Sequence, residues 1–373
     1  MELYDAIVLG VGGVGSATLR ELARRDLNVL GIDQFAVAHD RGSSHGKTRL
    51  IRQAYFEHPD YVPLLIRAYE LWDELEQTTS RKLFYRSGLL EAGPVDGVLI
   101  RGVEESAQRH NLPIERLSEK EVAERFPQFR VPPGYLTVFE PTGGFLLVEQ
   151  CVQANIDVAC SLGAKVSAET TVHKLDLAES LSVLQTNRGV FAAPNLIVCA
   201  GAWVSQLLPG IGDFRVVRKH LDWLRPSDNR MHIDQGCPGF LFEVEDGHFY
   251  GFPQIDDLGV KVAEHTGGES QHDPAQLTKE QDDKSLARTL EFVDRCLPLV
   301  THETTHHDVC MYTISPDTHF VVDHHPDFEN VVFAAGLSGH GFKFTPVLGE
   351  ILCQMAIDGE TSHAIEFLSN QRF

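Results

Sequence analysis

The first chemically suggestive pattern is a glycine cluster followed, about twenty residues later, by an acid. Gly10, Gly12 and Gly15 have the spacing G-x-G-x-x-G directly after the apolar run 4–9, and Asp33 ends the next apolar run. Such glycines permit a sharp turn and close approach of the backbone to a pyrophosphate, which the following helix N-terminus stabilises. The terminal acid accepts hydrogen bonds from an adenosine ribose. The pattern predicts dinucleotide binding and leaves FAD and NAD open, while an acid without a neighbouring arginine argues against a 2′-phosphate.

Three basic side chains lie in surroundings that suit an anion. Arg49 and Arg52 are embedded in the apolar run 48–56, and Lys343 lies between two phenylalanines in the glycine-rich stretch 336–344. An arginine is rarely buried without a carboxylate or phosphate partner. The residues alone leave the arginines open between an anion site and a surface pair, and they favour anion binding by the lysine.

The seven cysteines show no pairing pattern. Their number is odd and no CxxC spacing occurs, so neither a disulfide framework nor a metal site is expected. For Cys310, in the stretch Cys310-Met311-Tyr312-Thr313, composition alone predicts a buried core thiol.

The elements that must position these residues are interleaved along the chain. A strand, the glycine turn, a helix over 16–25 and a second strand come first, and apolar strands meet glycine turns again at 195–203 and 330–336. The stretches between them have a different, more β-like character. This pattern predicts two domains whose segments alternate, rather than two domains in series.

Composition limits the classes of partner. The 373 residues include 32 basic and 53 acidic side chains, a formal charge of −21. This balance disfavours nucleic acid and anionic membranes as partners, and it makes any inward-pointing cation informative because an anionic substrate would need one. No apolar run approaches a membrane span, and the first residues do not resemble a signal peptide. We expect a soluble cytoplasmic protein.

From residue 4 to the C-terminus, in the same order, the chain resembles the monomeric sarcosine oxidase and N-methyltryptophan oxidase family, amine-oxidising flavoproteins of the D-amino-acid-oxidase-like superfamily. The matching pieces are residues 10–15, 42–52, 61–64, 250–253, 261 with 265, 310–313 and 336–344. The resemblance implies an α/β (α+β) fold in which a Rossmann-like FAD-binding domain is interleaved with a smaller substrate domain built on an antiparallel sheet. The implied segments are 1–80, 142–214 and 306–373 for FAD, and 81–141 and 215–305 for substrate.

The resemblance also assigns residues to the cofactor. Cys310 matches the cysteine that forms a thioether to the 8α-methyl group of FAD, and His45 and Arg49 match residues beside the flavin ring. Positive charge there stabilises reduced flavin. The other residues assigned to FAD are Gly10, Gly12, Gly13, Val14, Gly15, Asp33, Ser43, Thr48, Gly339, Gly341 and Lys343.

Two positions depart from the family pattern. The family has His-His-Gly-Asp where this chain has Ser44-His45-Gly46-Lys47. One histidine has become a serine and one acid has become a base. These changes alter the contacts around the flavin and bear on how efficiently it is attached.

The substrate residues follow from the same resemblance. Arg52 and Lys343 match the pair that binds the substrate carboxylate, and Lys261 matches the lysine where oxygen is reduced. A cation there stabilises superoxide as it forms. The residues given catalytic roles are Lys261, His265, Arg49 and Tyr250, and Tyr312 joins the substrate pocket.

The implied activity is the FAD-dependent oxidation of N-methyl amino acids. Sarcosine is the first choice, giving glycine, formaldehyde and hydrogen peroxide with oxygen and water. The alternative is N-methyl-L-tryptophan or another secondary amino acid of the pipecolate or proline type. We expect a monomer whose partners are this small substrate and oxygen.

Two other protein classes share part of the pattern. A nicotinamide dehydrogenase would use the same N-terminal motif, but it gives no role to Cys310 or Lys343. A non-catalytic flavin-binding protein would have little reason to keep Arg52 and Lys343 beside Lys261.

Overall fold

The computed structural model describes residues 1–373. After the short strand β1 (Glu2–Leu3), the chain forms the strand–turn–helix–strand unit that the glycine spacing predicts, namely β2 (Ala6–Leu9), α1 (Gly13–Ala23) and β3 (Val29–Ile32). Gly10 has a φ of +91°, and a Cβ at Gly15 would lie 1.8 Å from the Gly10 carbonyl oxygen. Helix α1 begins at Gly13 rather than at Ser16, because the glycine turn itself supplies the first helical residues.

The central sheet has six strands in the order β10-β3-β2-β14-β22-β21. Its pairs are parallel except that of β21 with β22, which is antiparallel. The further strands are β10 (Lys165–Ser167), β14 (Asn195–Val198), β21 (Val321–His325) and β22 (Phe328–Ala335). Gly10, Asp33, Cys199 and Gly336 follow β2, β3, β14 and β22, so they share the carboxyl edge, where such sheets bind ligands.

Helices cover this sheet and bury its apolar residues. Helix α1 packs against two later helices, α5 (Val148–Ser161) and α8 (Thr345–Asp358). The packing against α8 is close, since a Cβ at Gly349 would lie 2.7 Å from the Ala17 backbone. The helices are α2 (Val62–Thr79), α3 (Leu99–His110), α4 (Glu119–Arg125), α5 (Val148–Ser161), α6 (Val204–Leu207), α7 (Asp283–Cys296) and α8 (Thr345–Asp358). No helix combines the length and the apolar character needed to cross a lipid bilayer.

The largest sheet has nine strands and lies mainly in the segments between the central-sheet strands. Its order is β19-β15-β18-β17-β16-β6-β8-β7, with β20 paired to β15, and only β16 and β6 are parallel. The strands are β6 (Leu89–Pro94), β7 (Glu115–Leu117), β8 (Tyr135–Glu140), β15 (Arg215–Pro226), β16 (Gly239–Val244), β17 (Gly247–Phe252), β18 (Val260–Glu264), β19 (Glu269–Ser270) and β20 (Val300–Ile314).

Two smaller sheets complete the fold. A three-stranded sheet in the order β4-β9-β5 consists of β4 (Thr48–Ile51), β5 (Phe84–Tyr85) and β9 (Gly144–Leu147). A four-stranded sheet in the order β1-β13-β12-β11 adds β11 (Val172–Asp176), β12 (Ser182–Thr186) and β13 (Gly189–Ala193). Strand β4 carries Arg49, and Arg52 follows it directly.

The predicted α/β class, with a parallel nucleotide sheet and a mostly antiparallel second sheet, is confirmed. The domain boundaries remain a prediction. One strand, β20, runs unbroken across the expected boundary between 305 and 306, and it pairs with β15 from Val300 to Ile314.

Candidate active site

A large cavity of about 780 Å³ lies at the carboxyl edge of the central sheet. Its volume falls within the range of about 300–1,000 Å³ typical of ligand cavities. Nine residues assigned to the cofactor line it, namely Gly10, Gly12, Gly13, Val14, Asp33, Ser43, Arg49, Gly339 and Gly341. The lining also includes segments 170–175 and 199–203, to which the sequence motifs assigned no cofactor contact.

The acid that ends β3 is held in place by the backbone around it. The two carboxylate oxygens of Asp33 accept hydrogen bonds from the N–H groups of Val11 and Phe35, each at 2.9 Å. The carboxylate therefore bridges the glycine turn and the loop after β3. Each oxygen keeps a second lone pair for a ribose hydroxyl.

The glycine turn leads into an α1 N-terminus that carries no acidic side chain in its first turn. An anion at this end of the cavity therefore meets the positive end of the helix dipole without a competing carboxylate. Ser44, one of the two departures, accepts a hydrogen bond from the Gly13 N–H at 3.0 Å. Lys47, the other, forms a partly exposed ion pair with Asp256 at 2.6 Å.

Two buried cations, Arg49 and Lys261, lie close together beside Gly46, and of the two only Arg49 is part of the cavity lining. Arg49 donates to the carbonyls of Thr48 and Ser43, each at 2.9 Å, and forms no ion pair with a carboxylate. Lys261 donates to the Gly46 carbonyl at 2.6 Å and to the Thr48 carbonyl at 3.0 Å. Burial, reinforced by the nearby Arg49 guanidinium, lowers the pKa of Lys261 well below its usual range. A negative charge forming beside them would favour the protonated form of Lys261 and would be stabilised by both groups.

Five residues assigned to FAD are not part of the lining of the large cavity: Gly15, His45, Thr48, Cys310 and Lys343. Cys310 has no solvent-exposed surface and packs in a hydrophobic cluster with Leu50, Tyr250 and Tyr312. It immediately precedes Met311, which does line the cavity. His45 is buried, with Nδ1 at 3.2 Å from the Asp308 carboxylate and with Nε2 lacking a hydrogen-bond partner.

A second cavity of about 40 Å³ adjoins the first and shares Arg49, Tyr312, Gly339 and Phe342 with it. The sequence assigned five residues to substrate binding or to the amine side of the pocket, and the structure brings all of them to this cavity. They are Arg52, Tyr250, His265, Tyr312 and Lys343.

The two cations of the small cavity both lie close to the ring of Tyr55. The Arg52 guanidinium carbon lies 4.8 Å from the ring centroid, and Lys343 Nζ lies 5.1 Å from it. Burial and the neighbouring Arg52 lower the pKa of Lys343 well below its usual range. A bound carboxylate would favour the charged form of Lys343 and would lie beside the Arg52 guanidinium, so the site suits a carboxylate ligand.

Two acids beside Arg52 were missed by sequence reasoning. Glu57 accepts from Arg52 Nη2 with both oxygens, at 2.9 and 3.0 Å. Burial alone would raise the pKa of Glu57, but Arg52, His340 and Lys343 lower it to about 2. Glu91, on β6, lies 3.7 Å from Arg52 Nε, and burial raises its pKa well above the usual range. Glu57 is the first acid after Arg52, a signal that the sequence offered, whereas nothing in the sequence relates Glu91 to the site.

The opposite wall of the small cavity is uncharged. Tyr312 Oη lies 3.5 Å from Tyr250 Oη and 3.4 Å from His265 Nδ1. Burial raises the pKa of both phenols and lowers the pKa of the imidazole well below its usual range. All three side chains are therefore neutral near pH 7.

Comparison with known proteins identifies the cofactor. The family model described as "DAO: FAD dependent oxidoreductase" matches residues 5–355. The chain belongs to the DAO family. The predicted family is thus confirmed, and FAD rather than NAD is the cofactor.

Relatives of the same family match the DAO chain along its whole length. It is 39% identical over 378 residues to monomeric sarcosine oxidase of Arthrobacter sp. (strain TE1826), covering 99% of this chain and 96% of the relative. It is 36% identical over 377 residues to N-methyl-L-tryptophan oxidase of Yersinia pestis (strain Pestoides F), covering 99% of both.

Solved structures share the fold of this DAO chain. NikD, described as an unusual amino acid oxidase essential for nikkomycin biosynthesis, superposes with a TM-score of 0.86 at 23% identity, covering 99% of this chain and 98% of NikD. Glycine oxidase from Geobacillus kaustophilus gives a TM-score of 0.81 at 18% identity and covers both chains completely.

The residues present fit FAD. Gly12 and Gly13 leave the cavity wall without side chains beside the α1 N-terminus, where a pyrophosphate binds. Arg49, which also lines the cavity, has no acidic partner, so its guanidinium retains unused capacity toward a polar ring. Asp33 lies at the position for the adenosine ribose.

Proposed function

We propose that this protein is an oxidase of N-methyl amino acids and that sarcosine is its preferred substrate. It is a flavin-dependent amine oxidase that acts on CH–NH donors with oxygen as acceptor. One observation carries the substrate proposal: Arg52 and Lys343, both buried, line a small cavity that adjoins the flavin end of the large one.

The size of the small cavity favours sarcosine over larger secondary amino acids. Its volume is about 40 Å³, against about 780 Å³ for the large cavity, so the smaller the substrate, the less the walls must move to admit it. A substrate consisting of a glycine backbone and one methyl group is the smallest N-methyl amino acid. An indole side chain would require the walls, including Phe56 and Leu241, to move apart.

Arg52 and Lys343 bind the substrate carboxylate in this proposal. Charge-assisted hydrogen bonds to a carboxylate are the strong ones, and an arginine fork also fixes orientation. When Arg52 and Lys343 hold the carboxylate, the amine nitrogen of the substrate lies against Tyr250, His265 and Tyr312. An uncharged, desolvated wall favours the neutral amine over the ammonium form, and the neutral amine has the free lone pair that oxidation requires.

Lys261 provides the positive charge where oxygen is reduced. Bound FAD supplies the two-electron acceptor for the C–N oxidation. The Lys261 ammonium, anchored on the carbonyls of Gly46 and Thr48, stabilises negative charge forming on oxygen without transferring a proton. Arg49, anchored on Thr48 and Ser43, stabilises negative charge at the edge of the ring system.

We further propose that Cys310 anchors FAD covalently and that the protein acts as a monomer. The thiol precedes a residue that lines the cavity, and Arg49 is among its charged neighbours. Acid precipitation tests the anchor: flavin colour should stay with the protein pellet and should move to the supernatant in Cys310→Ala.

The substrate proposal is tested by product analysis and by a size series. Sarcosine should yield equal amounts of glycine, formaldehyde and hydrogen peroxide, with a higher kcat/KM than N-methyl-L-tryptophan. Leu241→Ala enlarges the small cavity and should raise the relative kcat/KM for the larger substrate. A wild-type preference for N-methyl-L-tryptophan would refute sarcosine as the preferred substrate and retain the reaction class.

A further inference from the structure

A continuous chain of hydrogen bonds lies behind Lys343. Its ammonium donates to the His340 carbonyl at 2.7 Å and to Tyr55 Oη at 3.5 Å. Tyr55 Oη lies 2.6 Å from His340 Nδ1, and His340 Nε2 lies 3.0 Å from the Thr318 carbonyl oxygen. Lys343, Tyr55 and His340 are all buried. These hydrogen bonds thus connect the small cavity to a fixed acceptor, the Thr318 carbonyl oxygen.

The Thr318 carbonyl determines the direction of the hydrogen bonds. A carbonyl oxygen only accepts, so the hydrogen of the neutral His340 ring is on Nε2. Burial lowers the pKa of His340 to about 4, which keeps the ring neutral at pH 7. His340 Nδ1 is therefore an acceptor, and the Tyr55 hydroxyl donates to it. The Tyr55 oxygen lone pairs remain free to accept from Lys343.

Lys343 needs this acceptor because its surroundings disfavour a charge. The Arg52 guanidinium lies close to the same Tyr55 ring, and the acid that faces Lys343, Glu57, is engaged by Arg52 through both oxygens. The π face and the hydroxyl oxygen of Tyr55 both present negative potential to the ammonium. The titratable and charged groups that face Lys343 or His340 are Arg49, Arg52, Tyr55, Glu57, Tyr61 and His265.

We propose that Tyr55 and His340 are positioning residues that keep Lys343 charged and directed at the substrate carboxylate. This inference rests on the proposed carboxylate-binding role of Lys343. His340 acts through Tyr55: its tautomer orients the hydroxyl, and the oriented hydroxyl accepts from the ammonium. Loss of either group lowers the pH at which Lys343 loses its proton and, with it, the affinity for a carboxylate.

The pH dependence of acetate binding to the oxidised holoenzyme tests this inference without turnover. The dissociation constant is measured from the flavin absorbance change between pH 6 and pH 9.5. In Tyr55→Phe and His340→Phe, the midpoint at which binding weakens should fall by about one pH unit, so acetate binds about tenfold more weakly at high pH. Binding at pH 6 should stay close to wild type. His340→Asn should restore the wild-type midpoint, because its amide oxygen replaces Nδ1 as the acceptor.

A matched control comes from the neighbouring tyrosine–histidine pair. His319 Nδ1 lies 3.3 Å from Tyr61 Oη in the same aromatic cluster, without a hydrogen bond to Lys343. His319→Phe, matched to His340→Phe, should keep the wild-type midpoint. Should His340→Phe fail to fold, Tyr55→Phe carries the test, since it removes a single oxygen atom and retains the ring.

The outcomes separate the two proposals. A wild-type protein that binds flavin but no acetate at any pH refutes the carboxylate site of the proposed function, and the inference with it. Wild-type binding with an unchanged midpoint in Tyr55→Phe refutes the inference alone. Equal weakening of binding at every pH would show a structural role only, and it too would overturn the positioning role.

Discussion

Replacement of Lys261 by methionine should slow the reaction with oxygen and leave the reaction with substrate nearly unchanged. The ammonium is buried, lies against the rings of Trp223 and Phe252, and donates to the carbonyls of Gly46 and Thr48. Methionine fills a similar volume without the charge. The substitution therefore isolates the electrostatic contribution.

The magnitude follows from Coulomb's law. A unit charge about 4 Å from the charge forming on oxygen contributes about 4 kcal/mol at an effective dielectric constant of about 20. Since about 1.4 kcal/mol corresponds to a tenfold change in rate, reoxidation should slow by about a thousandfold. The two carbonyls lose their donor, which costs about 1–3 kcal/mol of folding stability for each.

Stopped-flow spectroscopy measures the two half-reactions separately. Flavin is first reduced anaerobically by sarcosine, and the reduced protein is then mixed with oxygen. Lys219→Met is a matched control, because Lys219 is also buried and donates to two backbone carbonyls, those of Thr266 and Gly267 at 2.6 and 3.3 Å. It should reoxidise within about threefold of wild type. A folded Lys261→Met protein that sarcosine reduces and oxygen reoxidises at the wild-type rate would refute the electrostatic role.

Three further predictions concern binding and stability. Arg52→Met should weaken sarcosine binding by about 10- to 100-fold, because a charge-assisted hydrogen bond contributes about 1.5–3 kcal/mol. Anaerobic titration of the flavin absorbance measures the affinity, and an unchanged affinity would contradict the carboxylate role of Arg52. Gly15→Ala should abolish flavin loading, since its Cβ would lie 1.8 Å from the Gly10 carbonyl oxygen; normal FAD content in the purified variant would count against this. The pKa of His340 is about 4 in the folded protein and 6.5 in the unfolded chain, so its stabilising contribution is complete above pH 6.5 and is lost as pH falls toward 4. The loss amounts to about 3 kcal/mol at pH 4, and the fall in Tm between pH 6.5 and 4 should be smaller in His340→Phe than in wild type.

Local features were predictable from the sequence because short-range sterics determine them. The glycine turn, the helix after it and the acid after β3 lie within 33 consecutive residues. The start of α1 was misplaced at Ser16 because apolar periodicity ignores glycines that are held helical by the packing of the turn. The repeated strand-to-glycine junctions indicated the alternation of two kinds of segment, and the resemblance to a known family supplied the fold class, but neither predicted the pairing of nine strands in one sheet.

The small cavity shows what sequence pattern alone could not provide. Arg52 and Lys343 lie in the same cavity only because β4 and the turn before α8 pack together. From the sequence, only the resemblance to a known family related the two residues. From the residues alone, Arg52 could have been either a surface side chain or part of an anion site. Glu91 reaches Arg52 from β6, a strand of a different sheet, so no spacing rule could relate the two. His340 lies within a stretch that the sequence did single out, but its role depends on the Thr318 carbonyl, a tertiary contact.

The central claim is that the flavin in this protein accepts electrons from an N-methyl amino acid held by Arg52 and Lys343. The most direct measurement is anaerobic addition of sarcosine to the oxidised protein, followed in the flavin absorbance. We expect complete bleaching with one formaldehyde per flavin, and return of the colour with one hydrogen peroxide when oxygen is admitted. A flavin-loaded protein that neither sarcosine nor any other secondary amino acid bleaches would contradict it.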